Sequence, residues 1–306
     1  MSTDTPVRGS CLCGALRWRL RPPLELLAHC HCSRCRRVHG AAFATFAGGS
    51  AAGFEWLCDE GEEAVSEYVS AGSWVRRFCG RCGSVAPTVI GDNAFVAAGC
   101  FDDDPGSPAT PPFHMFVGSK AGWARVPADG AQRYEGAPPD YEPPPELPPA
   151  PELPPLSGPG RIRGGCLCGG VAWEVGPAAG LVHCHCSRCR KSHSAAHASN
   201  FMAAGEGFGY TRGAELVRTY KVPEAERFTT AFCTTCGSNV PRRPGAGADF
   251  VVVPAGGVET EVGPLPEVHI FVGSKAPWFE IGDDIPRYDT YVPGFASSGE
   301  WAKAQS

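Results

Sequence analysis

The sequence predicts a mainly β protein with short helical turns, made as two tandem copies of one domain. Three observations carry this. A set of motifs recurs once, in order, about half a chain later; short runs of strand formers are punctuated by glycine and proline; and sixteen cysteines fall mostly into CxC and CxxC groups.

The repetition comes first. GSCLCGALRW at 9–18 pairs with GGCLCGGVAW at 164–173, and HCHCSRCRR at 29–37 with HCHCSRCRK at 183–191. FCGRCGS at 78–84 pairs with FCTTCGS at 232–238, FHMFVGSKAGW at 113–123 with VHIFVGSKAPW at 268–278, and QRY at 132–134 with PRY at 286–288. The offset stays at 154 or 155 residues, a domain-sized period rather than a solenoid's, so each copy is expected to fold alone. The expected boundaries are 1–136 for the first domain and 161–306 for the second, with its C-terminal tail. The joint at 137–160 holds eleven prolines and four acidic residues among its 24, with no basic residue. Proline sustains neither a helix nor a sheet ladder. The joint is therefore expected to be an extended polyproline-like spacer of up to roughly 70 Å, leaving the halves separable with little loss of stability.

Within each copy the strand signals are local. ALRWRL alternates apolar and basic side chains over most of its length, and TTAFC and DFVVVPAG are rich in strand formers. SRCRRVHGAAF admits a helical turn after its cysteines. Cysteine-rich turns can substitute for a larger apolar core, because metal binding contributes folding free energy.

Composition bounds the function. A chain of 306 residues, 43% hydrophobic, has room for two cores. Its net charge of -5 and pI near 6.0 weigh against nucleic-acid binding driven by bulk electrostatics. No apolar run reaches the length of a membrane span, and MSTDTPVRGS is not a secretory signal, so a cytoplasmic location is expected. In that setting the thiols are expected to be reduced and metal-binding rather than bridged.

Seven cysteines repeat: Cys11, Cys13, Cys30, Cys32, Cys35, Cys79 and Cys82 match Cys166, Cys168, Cys184, Cys186, Cys189, Cys233 and Cys236. Four thiolates fill a closed tetrahedral site and three remain, as in a site that keeps an open position. We group Cys11, Cys13, Cys79 and Cys82 and leave Cys30, Cys32 and Cys35 as the trio. Spacing alone also permits the CxC pair to join part of the cluster. Cys58 and Cys100 have no counterpart and read as semi-buried thiols.

Taken together, GSCLCG, CHCSRCRR, FCGRCGS and HMFVGSKAGW resemble the glutathione-dependent formaldehyde-activating enzyme family, which includes the centromere protein V relatives. The likeness spans nearly all of both copies and excludes the joint. It implies a zinc-bearing β-tent fold. It implies a structural zinc at Cys11, Cys13, Cys79 and Cys82 and again at Cys166, Cys168, Cys233 and Cys236. It implies a glutathione-facing zinc at Cys30, Cys32 and Cys35 and again at Cys184, Cys186 and Cys189. The implied reaction adds glutathione to formaldehyde, giving S-hydroxymethylglutathione; its reverse is a carbon–sulfur lyase reaction. The thiol and aldehyde would then be the partners, with zinc as cofactor.

The ligand chemistry suits that reading. Three thiolates around Zn2+ leave a net charge of -1, a weak Lewis acid whose natural fourth ligand is another soft thiol. Hydrolysis is disfavoured, and no HExxH supports it. For proton transfer, His31 and His185 are read as solvent-facing, His39 and His193 as within reach of the trio if their segment is helical, and His29 and His183 as preceding it. His114 and His269 are the better candidates, since they recur in a matched motif. The plainer reading of each is a structural histidine. Glutathione's two carboxylates call for cations, and Arg36, Arg37, Lys120, Arg190, Lys191 and Lys275 are the candidates, against a reading as exposed charges. Trp123 and Trp278 read as core. Gly40 against Ser194 suggests more room for ligand in the first copy, and Arg77 against Ala231 an extra cation there unless Arg227 replaces it. The first copy is thus expected to bind more tightly. Alternatives are a non-catalytic zinc-binding interaction module and, more weakly, nucleic-acid binding.

Overall fold

A computed structural model describes residues 5–58, 63–71, 74–139, 141, 152–226, 228–245 and 248–293. The protein is mainly β, with short helical turns, in two tandem copies. Val7–Ser10, Arg17–Leu20 and Phe54–Trp56 form a three-stranded antiparallel sheet, and Ile162–Gly165, Ala172–Val175 and Gly209–Arg212 form its twin. The alternation in RWRL turns Trp18 and Leu20 inward, as a two-residue side-chain period requires.

A larger sheet carries, in the first copy, the order Gln132–Arg133, Phe113–Met115, Leu26–Cys30, Ala44–Ser50, Asn93–Ala97 and Thr88–Ile90. The second copy has Arg287–Tyr288, Glu267–Ile270, Ala178–Cys184, Ala198–Ala204 and Phe250–Pro254. Where the first copy has Thr88–Ile90, the second has Arg242, Arg243 and Pro244. Proline cannot donate to a ladder, and Arg242 keeps an isolated bridge to Val252 instead of a strand. A hairpin, Val65–Ala71 with Trp74–Cys79 and its twin Val217–Lys221 with Thr229–Cys233, carries each CxxC.

Two features of the large sheet position the chemistry. Leu26–Cys30 pairs in parallel with Phe113–Met115, setting His29 opposite His114; the same register sets His183 opposite His269. Each central strand then leads through one residue into a two-turn helix: α1 (Ser33–His39) with Cys32 as N-cap, and α2 (Ser187–His193) with Cys186 as N-cap.

The copies are not independent. The C-terminal ends of α1 and α2 meet about a pseudo-twofold axis. His39 Nδ1 lies 2.9 Å from the carbonyls of His193 and Ser194, and His193 Nδ1 lies 2.8 Å from that of His39, so each imidazole donates across the axis. The turn Ala98–Cys100 packs on α2 and Ala255–Gly257 on α1. A methyl group at Gly99 would stand 2.3 Å from Ala195 N, and one at Gly256 2.1 Å from Arg36 O, so only glycine permits this approach. Phe78 meets Phe232 at 6.4 Å between ring centres, and Trp123 of the first copy meets Phe201 of the second at 5.5 Å. An apolar cluster draws Ala42, Phe43, Ala121 and Ala124 from one half and Ala196, Ala276 and Phe279 from the other. At the interface Arg37 pairs with Glu259 and Lys191 with Asp102.

The expectation of separable halves is therefore overturned: each half completes the other's core, and apolar burial is the main favourable term in folding. The joint is also less free than its composition predicts. Arg163 donates to Pro154 O at 2.7 Å and Arg212 to Glu152 O at 2.8 Å, while Ser157 N donates to Glu174 at 2.9 Å, tying this end to the second copy. Residues 140 and 142–151 lie outside the described residues. Among the described residues no helix is long and apolar enough to cross a membrane.

Candidate metal centres

All sixteen cysteines are free thiols, and fourteen of them fall into four clusters whose sulfurs lie within 4.8 Å of one another. Cys11 and Cys13 lie on the turn after Val7–Ser10, and Cys79 and Cys82 at the end of the Trp74–Cys79 hairpin. Cys11 to Cys13 is 3.5 Å and Cys13 to Cys79 is 3.7 Å; the twin pairs, Cys166 to Cys168 and Cys168 to Cys233, are 3.4 and 3.8 Å. Sulfurs bonded at about 2.3 Å to one tetrahedral ion stand about 3.8 Å apart, so both quartets fit such an ion with little movement. Backbone N–H groups already point at the sulfurs: Leu16 N to Cys11 at 3.3 Å and Val171 N to Cys166 at 3.1 Å. These outer contacts orient ligands and favour thiolate.

The trios follow from the strand-to-helix turn. Cys30 ends its strand, Cys32 caps α1 and accepts from Cys35 N–H at 3.4 Å, and Cys35 is in the first turn; Cys184, Cys186 and Cys189 repeat this. Among the described residues no fourth cysteine joins either trio. Hydrogen bonds from the two neighbouring thiols push the capping cysteine down, Cys32 well below the ordinary thiol range and Cys186 to about 3, so each trio has one favoured thiolate.

Each trio has a half-buried arginine that the repeats do not reveal. Arg76 approaches Cys35 Sγ at 3.8 Å. Burial works against its charge, but Cys35, Cys32 and Cys30 more than offset this and hold the guanidinium above its usual value. Its counterpart by repeat position is Thr230. In the second copy burial likewise disfavours the charge on Arg242, which Cys189 and Cys184 help support; this residue arrives from a different place in the sequence. Tyr141 adjoins the first trio, packed on Trp74 and Phe116; burial first, then Cys35 and Cys30, push its phenol up to about 12. Tyr291, packed on Phe271, is raised by burial and by Cys184 in the same way. Phe116 and Phe271 share φ of 57°, left-handed conformations that cost a non-glycine residue energy and that cluster at functional sites.

The cationic candidates separate. Arg36 donates to His31 O at 3.1 Å and Ser119 O at 3.2 Å, bracing the trio loop. Arg37 and Lys191 are engaged at the interface, and Lys275 donates to Phe279 O at 2.8 Å. Lys120 is exposed, and Arg190 is half-buried with its Nε lacking a hydrogen-bond partner.

The asymmetry read from Gly40 and Ser194 does not hold at the ligand. Both are left-handed helix caps at the interface; a methyl group on Gly40 would meet Pro254 and Asn239 of the other copy at 2.8 and 2.9 Å. Ser194 Oγ accepts from Val85 N at 2.8 Å across the same interface. Arg77 pairs with Glu67 at 3.0 Å, and Arg227 lies outside the described residues.

The histidines form a chain. His31 and His185 are fully buried, not solvent-facing, and His39 and His193 serve the interface. Asp129 lies 3.0 Å from His114 Nε2, and His114 Nδ1 lies 2.9 Å from His31 Nε2. Burial raises the Asp129 pKa, but hydrogen bonds from His114 and Ala131 outweigh it and hold the carboxyl below its usual range. The tautomers follow: His114 Nε2–H donates to the carboxylate, its bare Nδ1 accepts from His31 Nε2–H, and His31 Nδ1 is left as a buried lone pair without a partner. Asp283, His269 and His185 repeat the chain at 3.2 and 2.8 Å, again ending in an unpartnered Nδ1. The aspartates were missed in sequence, though each stands three residues before QRY or PRY.

Residues 6–119 and 161–274 each match the family described as glutathione-dependent formaldehyde-activating enzyme. No curated protein matches the chain. The crystal structure of a Rhodobacter sphaeroides protein, a structural-genomics target, is 27% identical over 34% of this chain and 98% of that chain, with a TM-score of 0.28.

Proposed function

The chain belongs to the glutathione-dependent formaldehyde-activating enzyme family, and from that premise we propose that it is a zinc-dependent enzyme of carbon–sulfur bond formation and cleavage, with a zinc-bearing β-tent in each copy. The observation that carries the reading is the pairing, in each copy, of a complete thiol quartet with a trio that lacks a fourth sulfur among the described residues. The quartets, Cys11, Cys13, Cys79, Cys82 and Cys166, Cys168, Cys233, Cys236, would hold structural zinc. The trios, Cys30, Cys32, Cys35 and Cys184, Cys186, Cys189, would hold the zinc that faces glutathione. When bound, that zinc supplies a fourth position where a soft thiol is held as thiolate.

The chain's own residues do the rest. Arg76 and Arg242 offset the negative charge that thiolates concentrate in a buried site. Glutathione's sulfur bonds to the aldehyde carbon, the carbonyl π electrons move to oxygen, and that oxygen takes a proton; the product is S-hydroxymethylglutathione and the reverse step cleaves the same C–S bond. Tyr141 and Tyr291 are the proposed donors to the oxygen, being protonated near neutral pH, and the proton lost by the thiol balances the step. Arg190 and Lys120 are the remaining cations for the glutathione carboxylates.

The test is the full chain, loaded with zinc, given glutathione and formaldehyde, with product measured by carbon NMR in both directions. Adduct formation accelerated by the protein, and abolished by Cys32→Ser with Cys186→Ser, is the expected result. Two to four zinc ions per chain with no acceleration and no glutathione binding would leave a non-catalytic zinc module instead.

A further inference from the structure

Beyond the thiol sites, we infer that His29, His114 and Asp129 form a separate site for a borderline divalent transition ion in the first copy; the matched His183, His269 and Asp283 do not gather their ligand atoms as closely. Nothing in the proposed thiol chemistry requires it. The ligand atoms of the first group lie within 4.8 Å of one another. Donors bonded at about 2.0–2.2 Å to one tetrahedral ion stand about 3.3–3.6 Å apart, so closing the cluster takes a shift of about an ångström.

A buried aspartate–histidine pair at 3.0 Å is by itself ordinary hydrogen bonding, and two further features point to a metal. First, a second imidazole faces the pair: the parallel register stacks the rings of His29 and His114 at 4.7 Å and those of His183 and His269 at 4.8 Å. Second, every one of these imidazoles is pinned from behind through Nδ1. His29 is held by Thr45 Oγ1 at 2.9 Å, His114 by His31 at 2.9 Å, His183 by Ser199 Oγ at 3.1 Å and His269 by His185 at 2.8 Å. With an ion on Nε2 the tautomers of the chain reverse, so that His114 Nδ1–H donates to His31 Nε2, which is the outer contact that metal-ligating histidines nearly always have.

The donor set selects the ion. Two imidazoles and a carboxylate with room left over suit zinc, cobalt or iron in the divalent state; magnesium and calcium prefer all-oxygen shells, and copper(I) prefers sulfur. The site is also one imidazole away from the trio, since His31 lies between Cys30 and Cys32 and accepts no other partner at Nδ1.

Cobalt(II) is the probe. The full chain is first given four equivalents of zinc, one for each thiol cluster, with no excess, then titrated with cobalt and followed by calorimetry and visible absorption. The expected result is one further equivalent with the weak d–d bands of nitrogen and oxygen coordination and no thiolate-to-cobalt charge transfer. His114→Gln should remove it, whereas His269→Gln should leave it. Asp129→Asn guards against misfolding: asparagine still accepts the hydrogen bond from the imidazole but loses the anionic ligand, so the fold should hold while cobalt binding falls at least tenfold. No cobalt beyond the thiol sites overturns the inference. So does further cobalt that carries thiolate charge transfer, or that both His114→Gln and Asp129→Asn retain.

Discussion

Phe78 and Phe232 test whether the two halves fold as one body. Each is nearly fully buried, and each ring packs against the other across the pseudo-twofold axis. Truncating either to alanine should cost about 3–5 kcal/mol, the range for a buried phenylalanine that leaves a cavity. The pair itself should contribute about 0.5–1.5 kcal/mol beyond area burial. The double variant should therefore lose less than the sum of the singles by roughly that amount, because the second truncation removes a ring whose partner is already gone. Denaturant unfolding at fixed zinc, followed by tryptophan fluorescence, measures this, since Trp123 and Trp278 report contacts near the boundary. One transition should shift as a whole in every variant. Two transitions, each moved only by its own half's mutation, with losses additive to within about 0.5 kcal/mol, would refute the coupled fold.

Other expectations follow from the same geometry. Residues 1–136 expressed alone should aggregate or self-associate rather than give a stable monomer, which light scattering checks; a monomer as stable as the full chain would contradict the interface. Cys79→Ser should lose zinc and lower Tm sharply, whereas Cys32→Ser should keep the fold and lose thiol binding; equal loss of fold would make both centres structural. Arg76→Gln and Arg242→Gln should each weaken glutathione binding in their own half, because each removes a cation that helps offset its trio's negative charge; calorimetric stoichiometry for the tight site should then fall by half. Burial lowers His39 to about 4 and His193 to about 3, so the unfolded chain takes up these protons first as pH falls. Their contribution is complete above the unfolded value of about 6.5 and is lost as pH drops toward the folded values, by up to about 1.4 kcal/mol per unit for each group. His39→Asn with His193→Asn, which keeps a side-chain N–H donor at each place, should flatten melting temperature against pH between 6.5 and 4.5; an unchanged slope would remove these imidazoles as the cause.

Chemical identity and local order were legible in the sequence. The CxC, the cluster and the CxxC identify the thiols; the two-residue alternation places Trp18 inside; and the segment after Cys32 contains the helix. These depend on side-chain chemistry and on neighbours a few residues apart, which a linear reading sees directly. Tertiary structure decided what comes from afar. His114 meets His29 because two distant strands pair in parallel. The arginine beside each trio comes from unmatched positions, 76 in one copy and 242 in the other, because a charge next to sulfur can be supplied from any element that passes by. The meaning of Gly40, Arg37 and Lys191 changed most. Composition showed a proline-rich joint and suggested two free domains, but the joint does not determine whether the surfaces it connects are apolar and complementary. Those surfaces are built from side chains scattered over both copies, and only folding brings them into contact.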